Sequence, residues 1–112
     1  MEYKYAEKDN YEDFSSGRVL YSAKGMTNFP VRLAQEIFSR CLQYSPKKNN
    51  ICLYDCCCGG GYLLTVLGFL NQDRIAKIAG SDINAEVLDI ARKNLSLLSR
   101  EGMDRRISEI EK

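Results

Sequence analysis

Ile51-Cys-Leu-Tyr-Asp55-Cys-Cys-Cys-Gly59-Gly-Gly61-Tyr-Leu63 reads as a short apolar strand ending in an acid, then a glycine turn, then the start of a helix. A second acid, Asp82, closes another apolar run roughly twenty residues beyond the glycines, the spacing of a nucleotide-type cofactor site in a βαβ unit. Gly59 and Gly61 lack side chains, so the turn can take positive φ and its amides can approach a ligand closely. A helix starting at Tyr62 points its positive end at the turn, which suits a carboxylate or phosphate. Asp82 can accept hydrogen bonds from both hydroxyls of a ribose. Asp55 places a negative charge ahead of the glycines, unfavourable beside a pyrophosphate and favourable beside an amino group.

Working outward, Asn28-Phe29-Pro30 opens a helix, because proline is tolerated in a first turn. Val31, Ala34, Ile37, Phe38, Cys41 and Leu42 form its apolar stripe, with Arg32, Gln35, Glu36, Ser39 and Arg40 expected to face water. Ser45 to Asn50 is a polar loop. Ile51 to Tyr54 is too evenly apolar for an exposed edge strand. The helix from Tyr62 to Leu70 is apolar nearly all round and must be covered on more than one side. Ile75 to Ser81 is a second strand. Asn84 is suited to cap the next helix, with Glu86 complementing its dipole. Val87, Leu88, Ala91, Leu95 and Leu98 are its buried stripe, and Gly102 interrupts it. Strands alternating with helices imply an α/β fold with a parallel sheet, and ligands of such sheets bind beyond the carboxyl ends of the strands. Arg18 to Gly25 reads as an extended piece that turns at Gly25. Residues 1–16 read as a loosely ordered arm.

The 112 residues fit one small domain, and the net charge of +1 gives no strong field for nucleic acid. Arg92, Lys93, Arg100, Arg105 and Arg106 are interleaved with acids and read as a solvated helix face rather than an RNA patch. No stretch has the length and apolarity of a membrane span, and a cytoplasmic location is the default expectation. The five cysteines, three of them contiguous, make a poor disulfide framework. Without histidine or paired Cys-x-x-Cys spacing no metal site is expected, and the thiols read as small packing residues.

Three ligand classes separate on these residues. The Gly-x-x-x-x-Gly-Lys-Ser/Thr string of a P-loop is absent. A dinucleotide fingerprint needs a third glycine where Leu64 stands, which disfavours an NAD-type oxidoreductase fragment. An acid ahead of Gly-x-Gly with a distal acid suits S-adenosylmethionine, whose methionyl end carries an ammonium and a carboxylate and no phosphate.

Asp55-x-x-x-Gly59-x-Gly61 with Asp82 resembles motifs I and II of the class I methyltransferases. Arg18-Val-Leu-Tyr-Ser-Ala, Phe29-Pro-Val-Arg-Leu-Ala34, the run from Cys57 to Leu67 and Ser81-Asp82 together resemble the avilamycin-resistance type of ribosomal RNA methyltransferase. The resemblance implies the N-terminal part of a Rossmann-like class I methyltransferase fold, with parallel strands alternating with helices in an incomplete sheet. Residues 1–16 would be a flexible arm and 17–112 the N-terminal half of the S-adenosylmethionine-binding domain. The substrate implied is a guanine of large-subunit ribosomal RNA. Asp55, Gly59 and Gly61 would line the methionine part of the cofactor, Cys57 and Cys58 would contribute mainly backbone and packing, and Tyr62 would also be cofactor-binding. Asp82 would hold the ribose and Ile83 would lie against the adenine, while Phe29-Pro30 would cover the site. Cys56 stands where the family often has proline.

The resembled family keeps its catalytic Asp/Asn-x-Pro-Tyr-like motif after the fourth strand, and none occurs here, where the only prolines are Pro30 and Pro46. The third to seventh strands are absent as well, so this chain alone is expected to be inactive, with an exposed sheet edge that invites self-association. The alternative is a non-catalytic nucleotide- or cofactor-binding module acting through a partner.

Overall fold

The structure is a computed structural model that describes residues 2–11, 19–22 and 29–111. Gly25 and Asn28, and with them the expected turn, lie outside the described residues. The elements run α1 (Val31–Tyr44), β1 (Ile51–Asp55), α2 (Tyr62–Leu70), β2 (Ile75–Gly80), α3 (Ala85–Ser96) and α4 (Arg100–Glu111). No helix among the described residues is long and apolar enough to cross a membrane.

The two strands are parallel, as the alternation of strands with helices requires, with Leu53 opposite Ile78 and Asp55 opposite Gly80. Register shifts between Ile51 and Cys52, because Ile51 faces Ile75 and Cys52 faces Lys77. The two carboxyl ends are therefore level, and both acid-bearing loops leave the sheet on the same side. The even apolarity of β1 is misleading. Leu53 packs into the core, whereas Cys52 is exposed and Tyr54 is 59% exposed, so only one face of the strand is covered.

Helix α2 is the hub. Tyr62 and Val66 join Leu20, Val31 and Leu97; Leu67 joins Ala34 and Phe38; Leu64 joins Cys58 and Ala91. Its all-round apolarity is thus used against α1, the sheet and α3 together. Burying a side chain such as Leu64 or Val66 contributes about 1.5–3 kcal/mol, enough to hold the turn that precedes α2.

Helix α1 follows Pro30 and is ended by Lys48, whose ammonium donates to the carbonyls of Leu42, Gln43 and Ser45. Its buried face is narrower than the expected stripe: Val31, Ala34 and Phe38 are buried, while Ile37 and Cys41 are exposed. Glu36, expected in water, is fully buried. Its Oε1 accepts the backbone N–H groups of Lys4, Tyr5 and Ala6 at 3.0, 2.7 and 2.9 Å, and its Oε2 accepts Arg40 Nε at 2.6 Å. Arg40 also donates to the carbonyl of Glu2, and Arg32 lies 4.0 Å from the centre of the Tyr3 ring while donating to Ala6. Residues 2–6 are held against α1 by these bonds.

Burial alone would raise the Glu36 carboxyl; the Arg40 bond and the three N–H groups outweigh it and hold it at about 2. The arm contact should therefore be at full strength above the ordinary carboxylate range and be lost only as pH falls through about 2. Glu36→Gln keeps one acceptor but sets an amide against Arg40. It should lower Tm by roughly 10 °C and raise amide exchange at residues 4–6; unchanged exchange there would refute the anchor.

Gly102 does not end α3 as expected. The chain turns at Leu97–Ser99 through tight backbone bonds back to Asn94, Leu95 and Ser96, and the Ser99 hydroxyl then caps α4 by accepting the Gly102 N–H. Gly102 lies inside α4, where an added Cβ would collide with the Ser96 carbonyl group. Glycine to alanine within a helix ordinarily stabilises by about 1 kcal/mol. Here the sign reverses, and Gly102→Ala should destabilise by about 2–3 kcal/mol in a urea melt. Arg106, expected on a solvated face, instead donates to the Val19 carbonyl at 2.7 Å and lies 4.2 Å from the Tyr21 ring centre.

Candidate functional site

The loop after β1 is held at nearly every residue. Asp55 Oδ1 accepts the Cys57 N–H at 3.0 Å, and the Cys58 N–H donates to the Ser81 carbonyl at 2.9 Å. The Ser81 N–H returns to the Asp55 carbonyl, and the Tyr54 and Ser81 hydroxyls share a 2.6 Å bond, so the two strand ends are laced together. Gly80 lets them approach: a Cβ there would meet the Cys58 side chain at 2.9 Å.

Each of the three glycines is then gripped differently. The Gly59 N–H donates to Asp82 Oδ2 at 2.9 Å. The Gly60 carbonyl accepts Asn94 Nδ2 at 2.8 Å. Gly61 presses on Ala91, where a Cβ would stand 3.0 Å from the Ala91 Cα. Gly59 and Gly61 both have positive φ, +53° and +74°, the region glycine enters without strain. A Cβ on Gly59 would meet nothing within 4 Å, so that residue fronts open space.

That space is a cleft of about 250 Å³ lined by Phe29, Asp55, Cys57, Cys58, Gly59, Gly60, Tyr62, Leu63 and Val87. Of the eight residues expected from sequence to bind the cofactor, five line it: Asp55, Cys57, Cys58, Gly59 and Tyr62. Gly61 lies beneath the turn. Asp82 is joined to the turn through Gly59 without lining the cleft, and Ile83 stands beside it fully exposed. Phe29, which sequence places over the site, is on its wall. Val87, which its helical spacing assigns to the core, reaches the cleft from the first turn of α3, and nothing in that spacing distinguishes the second role.

The electrostatics favour a ligand that carries both charges. N–H bonds from Asn84 and Gly59 hold the Asp82 carboxyl below its ordinary value, against the smaller effect of burial, so Asp82 is ionised at neutral pH. These two bonds engage one site on each oxygen, and a carboxylate has about four. Helix α2 begins at Gly61 with no side-chain cap and no acid in its first turn, whereas α3 is capped by Asn84 and carries Glu86. The leading amides of α2 are thus left for an anion. The Cys57 thiol is raised by its hydrogen bond to Cys56 and by that residue's charge, and Cys58 by burial and then by Asp55 and Asp82. Both are neutral at pH 7 and act by volume. Tyr62 Oη is buried without a hydrogen-bond partner among the described residues.

A larger groove, about 470 Å³, runs along β2 and is lined by Gly68, Gln72, Ile75 to Ile78, Leu95 and Leu98. It starts at the amino end of the strand, and among the described residues Lys77 is its sole charged side chain. Parallel sheets bind ligands at the opposite end, where the held turn lies. Among the described residues no cluster of three or more Cys, His or acidic residues could hold a metal ion.

A gripped glycine turn after β1, an ionised acid after β2 and the helix between them belong to a Rossmann-like α/β domain with a parallel sheet. Within that class the chain belongs to the family of rRNA methyltransferase AviRa, whose pattern it matches over residues 1–112. It is 46% identical over 105 residues to the 23S rRNA (guanine(2535)-N(1))-methyltransferase of Streptomyces viridochromogenes, a match covering 93% of this chain and 42% of that protein. Two solved structures of rRNA methyltransferase aviRa from the same organism, at 2.4 and 1.5 Å, superpose with a TM-score of 0.91 at 45% identity, covering 96% of this chain and 43% of theirs. The chain therefore spans less than half the length of these relatives.

Proposed function

We propose that this chain is the cofactor-binding part of an S-adenosylmethionine-dependent methyltransferase whose substrate is a guanine of large-subunit ribosomal RNA. The observation that carries the reading is the conjunction of the held turn, the ionised Asp82 beyond it and the fully exposed Ile83. The relative's name supplies the substrate class, and family membership favours this reading over a dinucleotide oxidoreductase.

The residues fit the group. Asp82 has acceptor sites left for two ribose hydroxyls, and Ile83 offers an uncovered apolar surface for the adenine. Asp55, at the mouth of the turn, suits the methionyl ammonium. The leading amides of α2 suit the carboxylate. Phe29 and Val87 wall the cleft, while Cys57 and Cys58 shape it through backbone and bulk. When bound, the cofactor supplies an electrophilic methyl group on its sulfonium. The chain's own part is to bind and orient it; none of its residues is assigned to the guanine. The RNA contacts and the proton acceptor are assigned to the part of the relatives that this chain does not span.

Calorimetric titration with S-adenosylhomocysteine, the stable product, and separately with NADH tests the reading. Saturable binding of the first alone is expected. Binding of NADH alone supports the oxidoreductase alternative, and binding of neither refutes a cofactor role for the turn.

A further inference from the structure

Asn94 is fully buried on α3, in a stripe otherwise read from its leucines and alanine. A buried amide is costly unless its polar atoms are paired. Here they are: Oδ1 accepts the Tyr21 N–H at 2.6 Å, and Nδ2 donates to the Tyr21 carbonyl at 2.9 Å and to the Gly60 carbonyl at 2.8 Å. No side chain of this size but asparagine's accepts one bond and donates two in these directions. One turn earlier on the same face, Ala91 receives Gly61. Helix α3 thus grips two consecutive residues of the glycine turn, one by a hydrogen bond and one by contact.

The other end of the network is also fixed. The Tyr21 ring lies under Arg106 and within 5.7 Å of the Lys93 ammonium, and its hydroxyl donates to Glu109 at 2.8 Å. Asn94 therefore joins an upstream segment 73 residues away, the turn and α3 at one point.

We propose that Asn94 is a positioning residue for the cofactor turn: by holding the Gly60 carbonyl it sets the direction in which the turn and the leading amides of α2 face the cleft. The inference rests on the reading of the turn as an S-adenosylmethionine site. Asn94 itself is fully buried behind the turn and acts through the Gly60 carbonyl.

Asn94→Asp tests it. The isosteric carboxylate still accepts from Tyr21 but faces two carbonyls with no proton to offer, and it regains one donor when protonated. Burial and those carbonyls raise its pKa towards neutrality. S-adenosylhomocysteine affinity should fall roughly 30-fold at about pH 8 and recover roughly fivefold or more on acidification to about pH 6. The unsubstituted protein should change less than about twofold over that window, because the Asn94 amide does not titrate and the Asp82 carboxyl is held below its ordinary value. Phe38→Leu, a core change on α1 in the cluster of Ala34 and Leu67, controls for lost stability and should leave affinity within about twofold.

If the unsubstituted protein binds and the Asn94→Asp variant matches it at both pH values, or Phe38→Leu loses as much, the positioning role is wrong while the site reading stands. If the unsubstituted protein does not bind, the site reading itself fails and this inference with it. Should Asn94→Asp not fold at the higher pH, Asn94→Ser carries the test. Its single O–H cannot donate to both the Tyr21 and the Gly60 carbonyls, and it falls one bond short of the Gly60 oxygen that Asn94 Nδ2 reaches at 2.8 Å, so affinity within about twofold of the unsubstituted protein overturns the proposal.

Discussion

Asp82→Ala is expected to weaken S-adenosylmethionine binding by roughly 100-fold or more. Two effects add. The substitution removes the acceptor proposed for the ribose hydroxyls, and it frees the Gly59 N–H that Asp82 Oδ2 holds at 2.9 Å. Asp82→Asn is no mild substitute. Both oxygens accept backbone N–H groups, from Gly59 and Asn84, and an amide can present only one acceptor oxygen, so its NH2 must oppose one of them. The pH dependence follows with a definite sign. The folded carboxyl lies below its ordinary value because Asn84 and Gly59 donate to it. Its contribution is therefore complete above the ordinary aspartate range and is lost as pH falls through the depressed folded value. Affinity measured by calorimetry should be flat with respect to Asp82 around neutrality. A binding curve that Asp82→Ala leaves unchanged would remove Asp82 from the site.

Gly61→Val is expected to cost about 4 kcal/mol of stability, a large part of what a small domain possesses. A β-branched residue is strained at a φ of +74°, and its Cβ would lie 3.0 Å from the Ala91 backbone, pushing α3 away from α2. Gly59→Asn is the informative contrast. Its φ of +53° is one that asparagine tolerates, and its Cβ would enter open space. The Asn variant should lose under about 1 kcal/mol in a denaturant melt yet bind the cofactor poorly, because that open space is the proposed cleft. Equal stability losses at the two glycines would contradict the division of labour within the turn.

The parts legible in sequence are those whose signal is local. The Asp55–Tyr62 turn and Asp82 are marked by spacing alone, α2 by its unbroken apolar run, and the cap of α3 by Asn84. Periodicity reports where apolar side chains go and is silent about polar groups buried with distant partners. Glu36 follows a water-facing rhythm, but its partners are backbone amides 30 to 32 residues earlier. Asn94 and Arg106 are taken up by Tyr21 and Val19 in the same way. Gly102 resembles a helix stop, and only the approach of α4 to the Ser96 carbonyl explains it. The exposure of Cys52 and Tyr54 belongs to the same class, since strand composition does not report how many faces are covered.

Amide chemical-shift mapping on addition of S-adenosylmethionine tests the central claim most directly. The largest changes are expected from Cys57 to Leu63 and from Asp82 to Asn84. Changes confined to the groove along β2, from Gly68 to Gln72 and Ile75 to Ile78, or no change at saturating cofactor, would contradict it.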